Sequence, residues 1–464
     1  MHLLGINLSW HQLRVETVAY LRLAAPIVVG QLAAVGMSFV DTVMAGNLNA
    51  TALASVAVGS AAWIGPLILI IGILTSVTAT VAQDYGAGRH GRIGMTVRQA
   101  FWLSQMIGIV MFFATRHLDL LMAWLDIEAE IVALAGGYLR ALSWGIPPLC
   151  LFFVLRYFSE GLGLTRPTMY FGILGLAFNV LGNWVFMYGK LGFPAMGVIG
   201  CGVATALVFW AQCIGFVLYV ALGRRYRHAG VFRQFEWPNG KILGELLRLG
   251  GPVGITLFVE ASLFMTVSLL MGSLGVNIVA GHQVALNFAS ITFMLPLGIG
   301  MAATVRVGQA MGAKDYLSAR FFGVLALALT MCTQFTSAFV MLVFPEWIVA
   351  IYTRDPVVTA VAVKLLFLAA IFQISDGVQA CIAGALRGLK DTTVPMIITV
   401  LAYWGIGLPL SYYLGIETGN GPAGLWIGFI AGLSVAALLM TFRFFRLSTL
   451  LVGQDGRAQS ASDP

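Results

Sequence analysis

Twelve times along this chain a run of predominantly apolar residues reaches about the 20 that a helix needs to cross the hydrocarbon core of a bilayer. Read between breaks at Gly, Asn and charged clusters, the first six begin near Val18, Ala52, Gly94, Ile131, Pro167 and Gly197. The second six begin near Ile242, Ile278, Phe321, Val357, Val394 and Ala423. The runs are continuous rather than alternating, which excludes a transmembrane β-barrel. Charged residues make up 10% of the sequence, against roughly 25% in soluble domains. The chain is therefore expected to be an all-α membrane protein with the lipid bilayer as its main surroundings.

The loops sort by charge. One set carries Arg89, Arg92 and Arg98; Arg156 and Arg166; Arg224, Arg225, Arg227 and Arg233; Lys314 and Arg320; Arg387 and Lys390. The alternate set carries acids: Asp119, Asp126, Glu128 and Glu130; Glu346 and Asp355; Glu417. Cations on short loops mark the cytoplasmic side, so the basic loops and both termini are expected there. The same bias explains the net charge of +7 and removes the case for nucleic-acid binding, since no basic domain lies outside the apolar spans. The five cysteines (Cys150, Cys201, Cys213, Cys332 and Cys381) form no C-x-x-C pair and lie in apolar stretches. They are expected to be buried and reduced. The first apolar run is too long for the h-region of a cleaved leader.

An internal repeat is legible. Leu21 to Pro26 answers Leu247 to Pro252, Gly46 answers Gly272, Gln83 answers Gln309 and Gly86 answers Gly312, all at an offset of 226. Six spans per repeat is an even number, so both halves enter the membrane with the same orientation. They are expected to form two six-helix bundles related by a pseudo-twofold along the membrane normal. The expected division is an N-terminal lobe over 1–223, a cytoplasmic linker over 224–241, a C-terminal lobe over 242–446 and a polar tail over 447–464.

Acids inside a span cost about 2.5–3.5 kcal/mol on insertion scales and mark functional sites by default. Three stand out: Asp41 in the first span, Glu260 in the seventh and Asp376 in the tenth. Glu260 lies 12 residues from Arg248 and Asp376 lies 11 from Arg387, distances of ~18 and ~16 Å at ~1.5 Å per helical residue. Both fall near the midplane of the C-terminal half, where paired carboxylates suit one shared cation, Na⁺ or H⁺. Asp41 lies 19 residues from Arg22, ~28 Å away, toward the opposite face. Asn179 and Asn183 share a helix face at i, i+4 and reach a similar level, as does Thr205. Asp41, Asn179, Asn183 and Thr205 are thus expected to form a polar cluster.

Pro26 and Pro252 stand in the first helix of each repeat, as hinge candidates, and Pro147-Pro148 interrupts the fourth span. His282 and Gln283 open the eighth span, as helix caps or as polar cleft residues. Arg140 is an unusual cation within a span and calls for an acidic partner. Asp126, Glu128 and Glu130 look like a metal cluster but read better as acids complementing a helix start.

With these residues in view, the sequence resembles the MATE (multidrug and toxic compound extrusion) family, in its NorM-type bacterial branch. The likeness runs from about Val18 to Arg446. It rests on Pro26 with Asp41 and Val43-Met44-Ala45-Gly46, the repeated Gln83/Gly86 and Gln309/Gly312, Glu260, and Asp376 with Gly384-Ala385-Leu386-Arg387-Gly388. The resemblance implies a secondary transporter, not an enzyme, in the bacterial inner membrane. It would be functional as a monomer and would export small cationic drugs by alternating access in exchange for Na⁺ or H⁺, with no other cofactor. By position, Glu260 and Asp376 match the family's cation-binding acids and would be the ligands of Na⁺, and Asp41 matches its N-lobe acid. Asn183 is neutral where some relatives carry an acid, and Phe372 stands where some carry tyrosine, keeping an aromatic face for cation–π contact. Phe372 and Gln283 join Asn179, Asn183 and Thr205 as cleft candidates. Two other readings are weaker: a lipid-linked saccharide flippase would want more than Arg140 for pyrophosphate, and an intramembrane prenyl transferase would want a D-x-x-x-D pair. The positions equivalent to Asp41 and Glu260 in the opposite half are Val267 and Ala34. The scaffold is duplicated and its acids are not, which places cation coupling chiefly in the C-terminal lobe.

Overall fold

A computed structural model of the chain describes residues 2–3, 6–7, 10–125 and 127–460. A short antiparallel pairing of His2–Leu3 with Ile6–Asn7 precedes the helices. The first half holds α1 (Trp10–Gly46), α2 (Ala50–Leu74), α3 (Ser76–Gly86), α4 (His90–Arg116), α5 (Leu118–Trp124), α6 (Ala129–Ser143), α7 (Ile146–Gly161), α8 (Arg166–Phe186) and α9 (Gly197–Leu222). After a 3-10 turn at Arg224–Ala229, the second half holds α10 (Gly240–Leu274), α11 (Val276–Gly312), α12 (Tyr316–Val343), α13 (Pro345–Tyr352) and α14 (Pro356–Gly388). It ends with α15 (Thr393–Val400), α16 (Leu408–Tyr412) and α17 (Gly421–Ser460), with π-helical turns at Leu401–Gly407 and Tyr413–Glu417. Among the described residues eleven helices are long and apolar enough to cross a membrane. The pair α6 and α7, bent by 51°, supplies the twelfth.

The starts of the helices have local causes. Asn49 accepts a hydrogen bond from the Ala52 amide, Asp315 from Ser318, and Asp355 from Val357 and Val358, each satisfying an orphan donor of a first turn. Pro147 and Pro148 sit in the first turn of α7, where a missing amide proton costs nothing, and the bend falls just before them. Pro26 and Pro252, by contrast, lie inside α1 and α10, which continue through them. The tail expected over 447–464 is helical to Ser460, as the end of α17; residues 461–464 lie outside the described residues. Glu130 lies in the first turn of α6, as a helix-start acid should, and Asp126 is outside the described residues.

The repeat is built into the helices. The α2–α3 pair spans Ala50–Gly86 and α11 spans Val276–Gly312, 37 residues each, with starts and ends both offset by 226 (276 − 50 and 312 − 86). The two left-handed residues that follow are Gly88 (φ 69°) and Lys314 (φ 60°), again 226 apart. The chain divides into two compact units, Val29–Gly254 and Met1–Val28 with Ile255–Pro464. The expected lobes were the sequence halves, 1–223 and 242–446. In the structure the leading arms of α1 and α10 instead pack in the unit of the other half.

Packing explains that exchange. Within the second unit Tyr20 is fully buried and donates to the Ile299 carbonyl at 3.1 Å, and Glu16 pairs with Arg306. Within the first, Gly250 lies so close to Ile73 that an added Cβ would sit 2.0 Å from its carbonyl oxygen. A longer seam joins α14 to α11: a Cβ on Gly384 would lie 2.1 Å from the Gly300 carbonyl, and one on Gly388 would lie 2.9 Å from Val307 Cβ. This is the small-xxx-small approach that membrane helices use in place of hydrophobic driving force. Overpacking of such a seam costs about 1–3 kcal/mol, so Gly384→Ala should lower the thermal midpoint of the purified protein, followed by monodispersity on heating. Gly272→Ala, where nothing lies within 4 Å, should leave it unchanged or raise it slightly.

Candidate functional site

In the C-terminal half, α10 presents Glu260 and α14 presents Asp376. Asp376 is 4% exposed, and among the described residues its buried Oδ1 has no hydrogen-bond donor. The charge of Glu260 acts on Asp376, and that of Arg387 acts on Glu260. The two acids singled out from the sequence therefore lie within electrostatic reach of each other, and one of them keeps a buried oxygen without a donor. Gln379, one turn beyond Asp376, accepts a hydrogen bond from Tyr403, whose hydroxyl also lies in the field of both acids. Tyr403 projects from the π-helical turn Leu401–Gly407, and such widened turns recur at functional positions. Neither Tyr403 nor Gln379 was expected. No sequence period marks a π-turn, although Gln379 follows Asp376 at i+3. Among the described residues no group of three or more His, Cys, Asp or Glu could hold a metal ion. A cation between Glu260 and Asp376 would complete its shell from neutral oxygens.

Phe372 does not offer an open face. It is 2% exposed, with its ring against Phe264, Trp426 and Phe429 at centroid distances of 5.9, 5.5 and 4.9 Å. It belongs to the core and not to a cleft, because its helix turns that face toward α10 and α17. His282 and Gln283 are not caps, since α11 starts at Val276. His282 is buried between Ser268 (3.1 Å) and the indole NH of Trp426 (3.2 Å), whereas Gln283 is exposed.

In the N-terminal half, α1 and α8 form the polar cluster expected. Asp41 is 6% exposed, and its Oδ1 accepts from Asn183 Nδ2 at 2.6 Å and from Asn179 Nδ2 at 3.1 Å. Thr205 does not touch Asp41 directly: its hydroxyl donates to the Cys201 carbonyl at 3.0 Å within α9 and also meets the Cys201 thiol. The side chain that reaches Asp41 from α9 is Cys201, whose thiol hydrogen-bonds the carboxylate. Cys201 precedes Thr205 by four residues, so the same helix-face rule that joined the two asparagines could have found it. Cys332 is exposed on α12 rather than buried with the other four cysteines.

Arg156, read as a loop cation, lies inside α7. It donates to Glu160 at 2.8 Å and to Gln31 at 2.7 Å, while Thr168 donates to Glu160 at 2.9 Å. Glu160 is 1% exposed and is a further buried acid that span hydropathy missed, because its partner stands beside it in sequence; Asp84, also 1% exposed, pairs with Arg89. Arg140 pairs with Asp119 at 2.9 Å, which accounts for a cation within a span.

Taken together, the spans, the repeat and the buried acids define a polytopic membrane protein of two like halves, and its relatives make it a transporter rather than an enzyme. A family model described as MatE matches residues 26–185 and again 252–413. The two matches start on Pro26 and Pro252, the positions 226 apart. The chain is 41% identical to the multidrug resistance protein PmpM of Pseudomonas aeruginosa over 456 residues, covering 97% of this chain and 95% of that one. It is 40% identical to the multidrug resistance protein NorM of Photobacterium profundum over 437 residues, covering 93% and 96%. An outward-facing multidrug resistance MATE family transporter of the MOP superfamily shares the two-bundle fold, with a TM-score of 0.86, 20% identity and coverage of 94% and 97%. The chain belongs to the MatE family, in its NorM-type branch.

The cluster geometry separates two substitutions that composition treats alike. Hydrogen bonds to a charged group contribute about 1.5–3 kcal/mol, so Asn183→Ala should lower the thermal midpoint clearly. Thr205→Val, which leaves every bond to Asp41 in place, should change it by much less, with both read on the purified protein in one lipid.

Proposed function

We propose that the chain is a secondary multidrug efflux antiporter of the inner membrane that exports small organic cations in exchange for Na⁺ or H⁺, as a monomer. The relatives carrying the same fold and motifs are named multidrug resistance proteins, and the charge alternation of the loops supports cytoplasmic termini.

The observation that carries the coupling is the buried Asp376 oxygen without a donor beside Glu260. In this reading the ionised pair attracts an organic cation. When Na⁺ or H⁺ enters from outside, it neutralises the same carboxylates, the drug leaves, and the neutralised units change orientation. The ion is then released inside. Drug and ion exclude each other because both use one negative charge. Asp41 takes a separate role, since its Oδ1 is already bonded by two amides and offers less to a cation.

The hinge fits the same scheme. The unit boundaries fall at Val28 and Gly254, each two residues after Pro26 and Pro252. A proline inside a helix frees a carbonyl and eases bending there, so α1 and α10 are the helices through which the units would reorient.

Proteoliposomes test the coupling. Glu260→Gln and Asp376→Asn should each reduce gradient-driven dye efflux about tenfold or more, since coupling free energies are typically ~1–3 kcal/mol. Asp41→Asn should retain dependence on the ion gradient. Unchanged gradient-driven efflux in both Glu260→Gln and Asp376→Asn would remove the pair from the mechanism.

A further inference from the structure

We infer that the open cavity beside the Arg224–Ala229 turn holds the phosphate of an anionic glycerophospholipid. The cavity, about 610 Å³, has a basic wall of Arg224, Arg225, His90 and His228. Its other wall is apolar, from Leu162, Leu164 and the ring of Tyr85. The volume falls within the ordinary range of ligand pockets. All of it lies within the unit Val29–Gly254.

The two arginines are held in reserve. Among the described residues no carboxylate pairs with Arg224 or Arg225, whereas Arg89, Arg92 and Arg98 are engaged by Asp84, Glu245 and Glu236. The turn that carries them is also fixed without any ligand. Tyr226 is buried, its hydroxyl meets Ser159 at 2.7 Å, and Ser159 in turn donates to the Leu164 carbonyl at 2.6 Å. Burial pushes the Tyr226 hydroxyl up to about 12, so it stays a neutral anchor. Gly94 lets the turn approach α4, because a Cβ there would meet the Ala229 carbonyl oxygen at 2.1 Å, and Arg98 donates to the Gly230 carbonyl at 3.0 Å.

Two observations favour a lipid over free phosphate. A small anion needs the arginines but has no use for the leucine wall, which suits the glycerol and first acyl carbons of an amphiphile. The same segment then runs into Phe232, Phe235 and Trp237, which are 49%, 71% and 76% exposed. Trp237 stacks on Trp102 at 6.5 Å, and Trp102 donates to the Glu236 carbonyl at 2.9 Å. Exposed aromatic rings of this kind settle at the headgroup level of a bilayer, and basic pockets between helices there bind anionic headgroups. The orientation proposed above enters only in deciding which leaflet supplies the lipid.

The full chain, purified in mild detergent and mixed with phosphatidylglycerol or phosphatidylcholine, tests this by native mass spectrometry. The readout does not depend on sidedness, so its failure would leave the orientation untouched. The wild type should retain phosphatidylglycerol over phosphatidylcholine. Arg224→Gln with Arg225→Gln should weaken that retention roughly 10- to 30-fold, at the usual contribution of a surface cation. Arg224→Lys with Arg225→Lys should restore much of it, showing that the fold is intact. A matched loss of charge at exposed Arg166 and Arg446 should have little effect. Equal retention of the two lipids, or an equal loss in the matched control, would overturn the proposal. So would displacement of the lipid by millimolar inorganic phosphate, which would make this a free-anion site.

Discussion

The structure is organised around the difficulty of keeping a carboxylate inside an apolar interior. An ionised group out of water demands partners, and in this chain three buried acids meet the demand differently. Glu160 is answered by Arg156 and Thr168. Asp41 is answered by the amides of Asn179 and Asn183. Asp376 differs in charge: its Oδ1 has no donor among the described residues, and the charge that acts on it is that of another acid, Glu260. Glu160 also leaves one oxygen without a donor, but there an arginine balances the charge. In the mechanism proposed above, a cation supplies that balance at Asp376.

The duplicated scaffold makes the asymmetry easy to see. Helices match across the repeat at an offset of 226, down to the left-handed residues Gly88 and Lys314, yet Val267 and Ala34 stand where the acids of the opposite half would be. Duplication supplied two bundles with like seams, and the acids then diverged. Where α1 and α10 leave their proline turns they also change unit, so one structural device at two equivalent positions links the bundles along the chain.

Much of this could be read from the sequence, and for identifiable reasons. Span positions follow from apolar length, and the bend before Pro147 follows from proline chemistry. The Asp41–Asn183 contact follows from i, i+4 spacing and depth. What escaped depends on where a helix rotates its faces. Phe372 is one turn from Asp376, but rotation buries its ring among Phe264, Trp426 and Phe429. Thr205 lies at the right depth, yet its hydroxyl goes to Cys201, which makes the contact with Asp41. Arg156 looked like a loop cation because Glu160, the partner that lets it be buried, was not recognised as intramembrane. The π-helical turn that brings Tyr403 to Gln379 has no signature in residue periodicity.

In the proposed mechanism, drug and coupling ion compete for one pair of carboxylates. The most direct test titrates a fluorescent organic cation onto the purified protein at rising Na⁺ and, separately, at falling pH. The apparent Kd for the dye should rise in proportion to the coupling ion, and that dependence should vanish in Asp376→Asn. A dye affinity that does not respond to either ion in the wild type, or that responds equally in Asp376→Asn, would contradict it.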